Sequence, residues 1–528
     1  MMNNISPLIP AALAAALALY LPPPFRPALT VAALVGIPAY WFYGRFSRRR
    51  RENPGQNVLR NFRRGPLPRL PLMAAAGILA GLWAVRAMPV FSPGLPAERI
   101  VSLKGKLLED PRGFTGGFSA ASSGERSMAL LALEEAGGIF PGGSVRVSAA
   151  GRAAVFFPAG TMPRLREFGR GAGVYVEGRF LPGGQSGGPA RPPAFRARSV
   201  HVAEGAPALE RRRTALRSAL LRRFGGKPWG GLAAALLLGV RENLEGDLAA
   251  SFRDAGLAHI LALSGMHLAF LSALLALCLR RPLGKRLSVA AGLLFILLYV
   301  FFVGPQPSLV RAAIMYCLGS ALALTGRGRP GFRRAGPGGS DGPGEPLART
   351  DPLALLGAAF LIQILWDPAS ARGLSFILSY LSLGGILALG GGIESALRGR
   401  LPPVLAEGLG ASAGAFLASA PAAAAVFGVL RPVGIAAGLA AAPLSGLFMV
   451  LSLLWLGTAW IPPVGAVLEG ALLFLETVME RGAAFFAGAP GVKTALFPAL
   501  AAAVPLAAVF LLLGARRERY RSYLAPFA

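Results

Sequence analysis

The residues of this 528-residue chain best placed to do chemistry at membrane depth fall in one apolar run, Gly256 to Leu279, which holds His259, Ser264, Gly265 and His267. Two of the three histidines in the sequence lie there. An ionisable side chain inside a bilayer costs about 2–3 kcal/mol on insertion scales and more on simulation scales, so its presence points to a task. On a continuous helix at about 100° per residue, His259, Ser264 and His267 share an arc of about 140°, with Ser264 and His267 one turn apart. Such a stripe can hydrogen-bond a passing ligand, or it can bind helix to helix. Ser264-Gly265 also suits a bend or a close helix approach. A serine protease fits poorly, because the serine and its base must come from facing helices, whereas both histidines share the serine's own segment. Ala262 also stands where a GxSG motif has its first glycine.

A second polar position, Arg311, lies about one turn inside the apolar run that follows Pro305-Gln306-Pro307-Ser308. A guanidinium near a membrane face can grip a phosphate, and Ser308 with the free N–H groups of a helix start adds a field that favours anions. Alternatively, Arg311 snorkels to the interface or pairs with Asp254. Arg253 and Asp254 read as entrance residues or as an interfacial ion pair. Gln363, Ser379 and Tyr380 are polar positions in later crossings, where hydrogen bonds glue helices together.

The elements that must position these residues are mostly membrane-spanning. The chain is 54% hydrophobic and 15% charged, its mean hydropathy is +0.54, and its apolar residues come in repeated runs long enough to cross a bilayer. The net charge of +29 fits the Lys and Arg excess of cytoplasmic loops, although a polyanionic partner would also suit it. Cys278 and Cys317, the only cysteines, sit inside apolar runs, which leaves no disulfide framework and no cysteine zinc site. Two short apolar runs, Pro7 to Leu21 and Ala28 to Tyr43, flank Pro22-Pro23-Pro24 and read as a helical hairpin. The arginine-rich stretch 45–69 is then cytoplasmic, and Leu70 to Val90 exits to the other face. Later crossings are expected at Leu257 to Leu279, Ser288 to Val303, Leu309 to Leu324, Pro352 to Trp366, Leu374 to Leu389, Glu407 to Leu430, Val433 to Trp460, Gly465 to Phe486 and Ala495 to Leu513. Val433 to Trp460 is long enough to conceal a break. Gly230 to Val240 is too short to cross and reads as re-entrant or interfacial. The Gly- and Pro-rich loop 326–351 is expected to be disordered.

Between the third and fourth crossings the sequence changes character. Residues 97–205 carry five expected strands, in Arg99 to Leu108, Ser127 to Glu134, Ser144 to Phe157, Gly173 to Phe180 and Ala194 to Val202, with period-2 alternation clearest at Val174-Tyr175-Val176-Glu177. Five short strands in so few residues suit a small barrel of the OB type, which a modest basic excess would let bind nucleic acid and which serves equally as a spacer. Leu209 to Phe224, LERRRTALRSALLRRF, reads as an amphipathic helix on the outer membrane surface or, more plainly, as a linker helix with snorkelling arginines. The expected fold class is therefore a polytopic α-helical membrane protein with an extracytoplasmic all-β (OB-like) domain inserted after the third crossing.

Two tracts, LLLGVRENLEGDLAASFRDAGLAHILALSGMHLAFL at 236–271 and PQPSLVRAAIMYCLGSALAL at 305–324, together with DPLALLGAAFLIQILWDPASARGLSFILSYLSLGGILAL at 351–389, resemble the core signatures of the ComEC family of bacterial competence proteins. The resemblance covers about 228–460, and the β-rich insertion also resembles that family's OB-like domain. It implies N-terminal transmembrane helices with a basic loop (1–96), an extracytoplasmic OB-like domain (97–208), an interfacial helix (209–227), a competence-type channel domain (228–515) and a basic tail (516–528). The implied function is passage of single-stranded DNA across the bacterial inner membrane during natural transformation, with the C-terminus cytoplasmic and with His259, Ser264, Gly265, His267, Ser308 and Arg311 along the path. Implied partners are single-stranded DNA, membrane lipids, an external DNA receptor, a cytoplasmic motor, a separate nuclease and a second copy of the chain. No GxxxxGK[ST] loop is present to supply the energy within this chain. Longer members of the family carry a metallo-β-lactamase-like domain whose metal site needs an HxHxDH-type cluster. With three histidines at 201, 259 and 267, this chain is expected to be a short form: a channel and not an enzyme, with no metal and no cofactor. A small-solute or lipid transporter is the alternative, which inverted repeats would favour.

Overall fold

A computed structural model of the chain describes residues 8–20, 70–88, 91–114, 126–140, 143–158, 169–181, 192–244, 246–261, 263–324 and 351–493. The expected crossings at Ala28 to Tyr43 and Ala495 to Leu513, the basic stretch 45–69, nearly all of the loop 326–351 and the tail 516–528 lie outside the described residues. Four helices, Leu374–Leu397, Pro403–Phe427, Gly434–Thr458 and Pro462–Ala487, are 24 to 26 residues long and apolar enough to cross a membrane. At 1.5 Å per residue, about 20 residues span a hydrocarbon core. Shorter apolar helices accompany them at Ala11–Tyr20, Ala76–Arg86, Leu287–Val303, Pro307–Leu322 and Pro352–Trp366. The protein is an integral membrane protein.

Local sequence sets the helix ends. Asp351 accepts the Leu353 N–H at 3.0 Å and Pro352 opens the helix Pro352–Trp366, which satisfies one orphan donor and uses a residue with none to lose. Helix Gly265–Val303 is two arms joined at Gly284, whose φ of 68° sits just after Pro282. Gly434–Thr458 runs through Pro443 as one helix. Leu374–Gly385 continues through a π-turn, Ile386–Gly390, into Gly391–Leu397. It packs on Pro403–Phe427 at backbone contact, where a Cβ on Gly385 would stand 2.1 Å from the Gly414 carbonyl oxygen. Small residues let membrane helices approach this closely.

The β-rich region folds into seven strands: β1 (Ile100–Leu107), β2 (Arg112–Phe114), β3 (Arg126–Phe140), β4 (Gly143–Ser148), β5 (Arg152–Phe157), β6 (Gly173–Phe180) and β7 (Ala194–Glu204). β1 pairs with β6, β6 with β7, β7 with β5, β5 with β3, and β3 returns to β1, so five strands close a ring; among the described residues only the β5–β7 pair is parallel. Alternation in β6 turns Val174 and Val176 inward to join Leu103, Leu131, Val155 and Phe195, all fully buried. Burying each such side chain is worth about 1.5–3 kcal/mol. The expected strand Ser144 to Phe157 divides into β4 and β5 at Gly151 (φ 105°), and Ala150 bridges to Ser92 instead. The short β2 was not expected.

Two expectations change more. Leu257 to Leu279 is not one helix: Gly256 adopts φ 76°, Ala258–Leu261 makes one short turn, and a new helix starts at Gly265 after an extended Ser264. Ser264 is an N-cap residue, and capping competes with helix continuation. Secondly, Gly230 to Val240 contains a nine-residue helix, Gly230–Leu238, buried in protein from Leu232 to Leu238. Trp229, Phe224 and Trp455 close its start, with the Trp229 and Trp455 rings 4.8 Å apart at 82°. A short helix is tolerated at this depth because protein surrounds it.

Candidate functional site

The broken helix and the start of Pro307–Leu324 assemble a polar cluster inside apolar surroundings. Ser308 Oγ donates to the Leu263 carbonyl at 2.7 Å, so the break is pinned to the next helix start. The Ser264 N–H donates to His267 Nδ1 at 3.2 Å. With Nδ1 accepting, the neutral ring carries its proton on Nε2, and that buried nitrogen has no hydrogen-bond partner. His267 is 1% exposed.

Arg311 is 7% exposed. Its Nη1 donates to the Ser379 carbonyl, and its guanidinium lies over the Tyr380 ring at 5.7 Å. A Cβ on Gly265 would stand 3.0 Å from Arg311 Nη2, a tight contact that the guanidinium could relieve only by shifting a few tenths of an ångström. Tyr380 Oη donates to Gln363 Oε1 at 2.9 Å, and Gln363 Nε2 donates to the Pro307 carbonyl at 3.2 Å, which ties the cluster back to the helix start. Arg311 Nε and Ser379 Oγ, like His267 Nε2, are buried without a partner. Among the described residues Arg311 has no carboxylate in ion-pair range; Asp254 instead pairs with Arg431 at 2.8 Å. Arg311 and His267 each lie within about one turn of a helix N-terminus, where the backbone field favours anions, and with Ser379 they keep three donors without a partner.

Ser264, Gly265, His267, Ser308, Arg311, Gln363, Ser379 and Tyr380 thus come together from four segments far apart in sequence. His259 does not join them. It is exposed, and its Nδ1 donates to the Gly256 carbonyl at 3.2 Å, because its short helix, Ala258–Leu261, is separate from the one that starts at Gly265, so the three residues do not align on one helix. Arg253 is exposed as well.

A second cluster joins the β ring to the membrane helices, and no sequence pattern pointed to it. The helix Ala208–Phe224 does not float its arginines outward as a set. Arg213 meets Asp110 at 2.5 Å and Glu210 at 2.6 Å, Arg217 meets Asp110 at 2.8 Å, and Arg170 meets Glu210 at 2.5 Å. Arg213 also donates to the Phe302 carbonyl, and Arg217 to those of Val303 and Leu238, capping two helix C-termini. Burial raises the Asp110 carboxyl, but Arg217 and Arg213 beside it and the Arg170 N–H outweigh that and hold it below the usual carboxylate range. Carboxylates of the right spacing were present in the sequence, yet nothing local marks Asp110 as a partner of residues over 100 positions on.

Between the ring and the helices lies a cavity of about 490 Å³, bordered by Asp110, Arg152, Arg170, Arg217, Asp367 and the segment Gly304 to Pro307 that leads into Ser308 and Arg311. Among the described residues no group of three or more His, Cys, Asp or Glu side chains could hold a metal ion.

Fold and site together define a polytopic helical membrane protein carrying a β ring and, in an apolar helix, a buried arginine without a carboxylate partner among the described residues. The family profile described as Competence protein matches residues 236–335 and 347–520, more than half of the chain. The chain belongs to the Competence protein family. It is similar to ComE operon protein 3 of Bacillus subtilis (strain 168), 35% identical over 96 residues, which is 17% of this chain and 12% of that protein. It is also similar to Uncharacterized protein YcaI of Escherichia coli (strain K12), 28% identical over 108 residues, 19% of this chain and 14% of that one. The alignments therefore span well under a fifth of either relative. No solved structure matches the chain.

Proposed function

We propose that the chain conducts single-stranded DNA through the bacterial inner membrane into the cytoplasm during natural transformation, as a conduit with no nuclease step of its own. The observation that carries this reading is Arg311, a buried guanidinium with no carboxylate in ion-pair range among the described residues, whose Nε has no partner and whose Nη1 is held by the Ser379 carbonyl. An arginine left unpaired in apolar surroundings is costly, and a phosphodiester passing between helices supplies the missing charge and acceptors. Family membership supports DNA as the polyanion. The closed five-strand ring with its single parallel pair supports an OB-like domain over residues 97–208, a fold that handles single strands. The basic stretch 45–69 supports a cytoplasmic placement for that loop and an outside placement for the ring.

On this reading His267, Ser308 and Arg311 contact the strand backbone, Gly265 makes room for the guanidinium, Ser264 holds the imidazole, and Gln363, Ser379 and Tyr380 position the cluster. A receptor outside, a motor and a nuclease elsewhere, and a second copy of the chain complete the machinery. The test is acquisition of DNase-resistant labelled DNA by a transformable host in which this chain replaces the resident transporter. Arg311→Ala abolishes acquisition while membrane levels hold, and Arg311→Lys, which keeps charge without the fork, recovers part of it. Wild-type acquisition by Arg311→Ala at normal membrane levels refutes the assignment.

A further inference from the structure

The cavity between ring and helices is spanned by two ion pairs of different kinds. On one side Arg213, with its side chain 1% exposed, is held by two carboxylates and a carbonyl. On the other, Arg152 at the start of β5 reaches Asp367 through one contact of 3.3 Å, with the two side chains 33% and 44% exposed. Asp367 follows the last residue of helix Pro352–Trp366, so its carboxylate sits at the negative end of a helix dipole, where an anion is disfavoured. Its other anchor is a contact of 3.4 Å with the Ser370 N–H.

We infer that this cavity is a binding site for the phosphodiester backbone of a single strand, with Asp367 holding on Arg152 the place that a phosphate takes when the strand arrives. The inference rests on the conduit reading and adds to it an antechamber with a displaceable strap. A phosphate gives Arg152 charge-assisted bonds as strong as those of the carboxylate, and it releases Asp367 to water. The Arg152 pair suits exchange because it is half-exposed and singly bonded. The Arg213 cluster does not, because its donors are satisfied and out of water. Location adds the second argument: the cavity wall formed by Gly304 to Pro307 runs directly into Ser308 and Arg311, so a strand held at Arg152 lies on the way to the unpaired guanidinium. At about 490 Å³ the space falls in the range of about 300–1,000 Å³ that encloses small ligands, which suits a nucleotide-sized group.

The displaceable strap makes the two partners of one ion pair act with opposite sign, which a purely structural bridge does not. The experiment is fluorescence anisotropy of a labelled oligothymidylate titrated with the purified full-length chain in lipid nanodiscs. Asp367→Asn removes the competitor and tightens binding about twofold to fivefold, the range expected for a half-exposed pair. Arg152→Gln weakens binding by a similar factor, Arg152→Lys retains most of it, and the double variant Arg152→Gln/Asp367→Asn behaves like Arg152→Gln alone. Size-exclusion profiles and unfolding temperatures matching the wild type exclude a folding defect. Shifts of both single variants in the same direction, or no shift in either, overturn the antechamber while leaving the conduit standing. Absence of any oligothymidylate binding by the wild type overturns the conduit reading itself, a result distinct from any pattern among the variants.

Discussion

Arg213 and Arg311 are both buried, and the protein treats them in opposite ways. Arg213 is surrounded by Asp110, Glu210 and a helix-terminal carbonyl, so its charge is neutralised by the chain itself. Arg311 has one carbonyl, an aromatic face, and a nitrogen with no partner at all. The first pattern is that of a joint, in which removing one member strands the others. On the proposed reading the second is that of a receptor, in which the chain bears a cost until something outside it arrives. Burial alone does not separate scaffold from site; the balance of charge around the buried group does.

The largest effect that sharpens this contrast is expected at the joint. Arg213→Ala leaves Asp110 and Glu210 without their common cation and lowers stability by about 3–5 kcal/mol, as breaking a buried pair does, measured by denaturation of the detergent-solubilised protein. At the receptor the same measurement gives the reverse ranking. Arg311→Met removes an uncompensated charge and changes stability by less than about 1 kcal/mol or raises it, while DNA acquisition is lost. A large destabilisation by Arg311→Met would make the two arginines alike and break the comparison.

Acid separates them as well. The folded Asp110 carboxyl lies below its unfolded value of about 3.9, so its contribution is fully present above that value and is lost as pH falls through the lower folded one. The joint therefore loosens on acidification below about pH 4, and Asp110→Asn flattens that limb of the pH–stability profile. Gly265→Ala is expected to act more mildly, reducing uptake severalfold, because the new Cβ meets Arg311 Nη2 at 3.0 Å and the Ala312 Cβ at 3.2 Å. Uptake rates with Gly265→Ser and Gly265→Ala should fall in order of size. The smallest effect belongs to His259→Ala, where uptake stays within about twofold of wild type because the ring is exposed and bonds only its own turn.

The receptor was the more legible of the two regions. Polar types in apolar helices stand out one by one, and Ser264, Gly265, His267, Ser308, Arg311, Gln363, Ser379 and Tyr380 were each visible before their assembly was. The strand Gly173–Phe180 was readable to the residue, since its pairing with β7 is regular from Val174 to Glu177, between register shifts at Gly173/Val174 and Glu177/Gly178, and that is the stretch where the alternation is clearest. The break at Leu263 and Ser264 was not readable as such, because Ser264 could equally sit inside a helix, and the Ser308 hydroxyl that holds the Leu263 carbonyl comes from another helix. The joint was not readable either. Asp110 lies 103 residues from Arg213, and a long-range ion pair leaves no periodicity, whereas the helix that carries Arg213 and Arg217 has the composition of a surface helix.

The π-turn at Ile386–Gly390 works as a phase adjuster. One extra residue in a turn rotates everything beyond it by about 100° relative to an uninterrupted α-helix. That offset brings Gly390 to within 2.7 Å of where a Cβ on Gly410 would stand, and sets the backbone of Glu394 beside the same point. Deleting a single residue between 386 and 390 would restore the regular winding and turn side chains into a seam that has room only for glycine, so the helix pair would separate at its Gly391–Leu397 end without any change of composition.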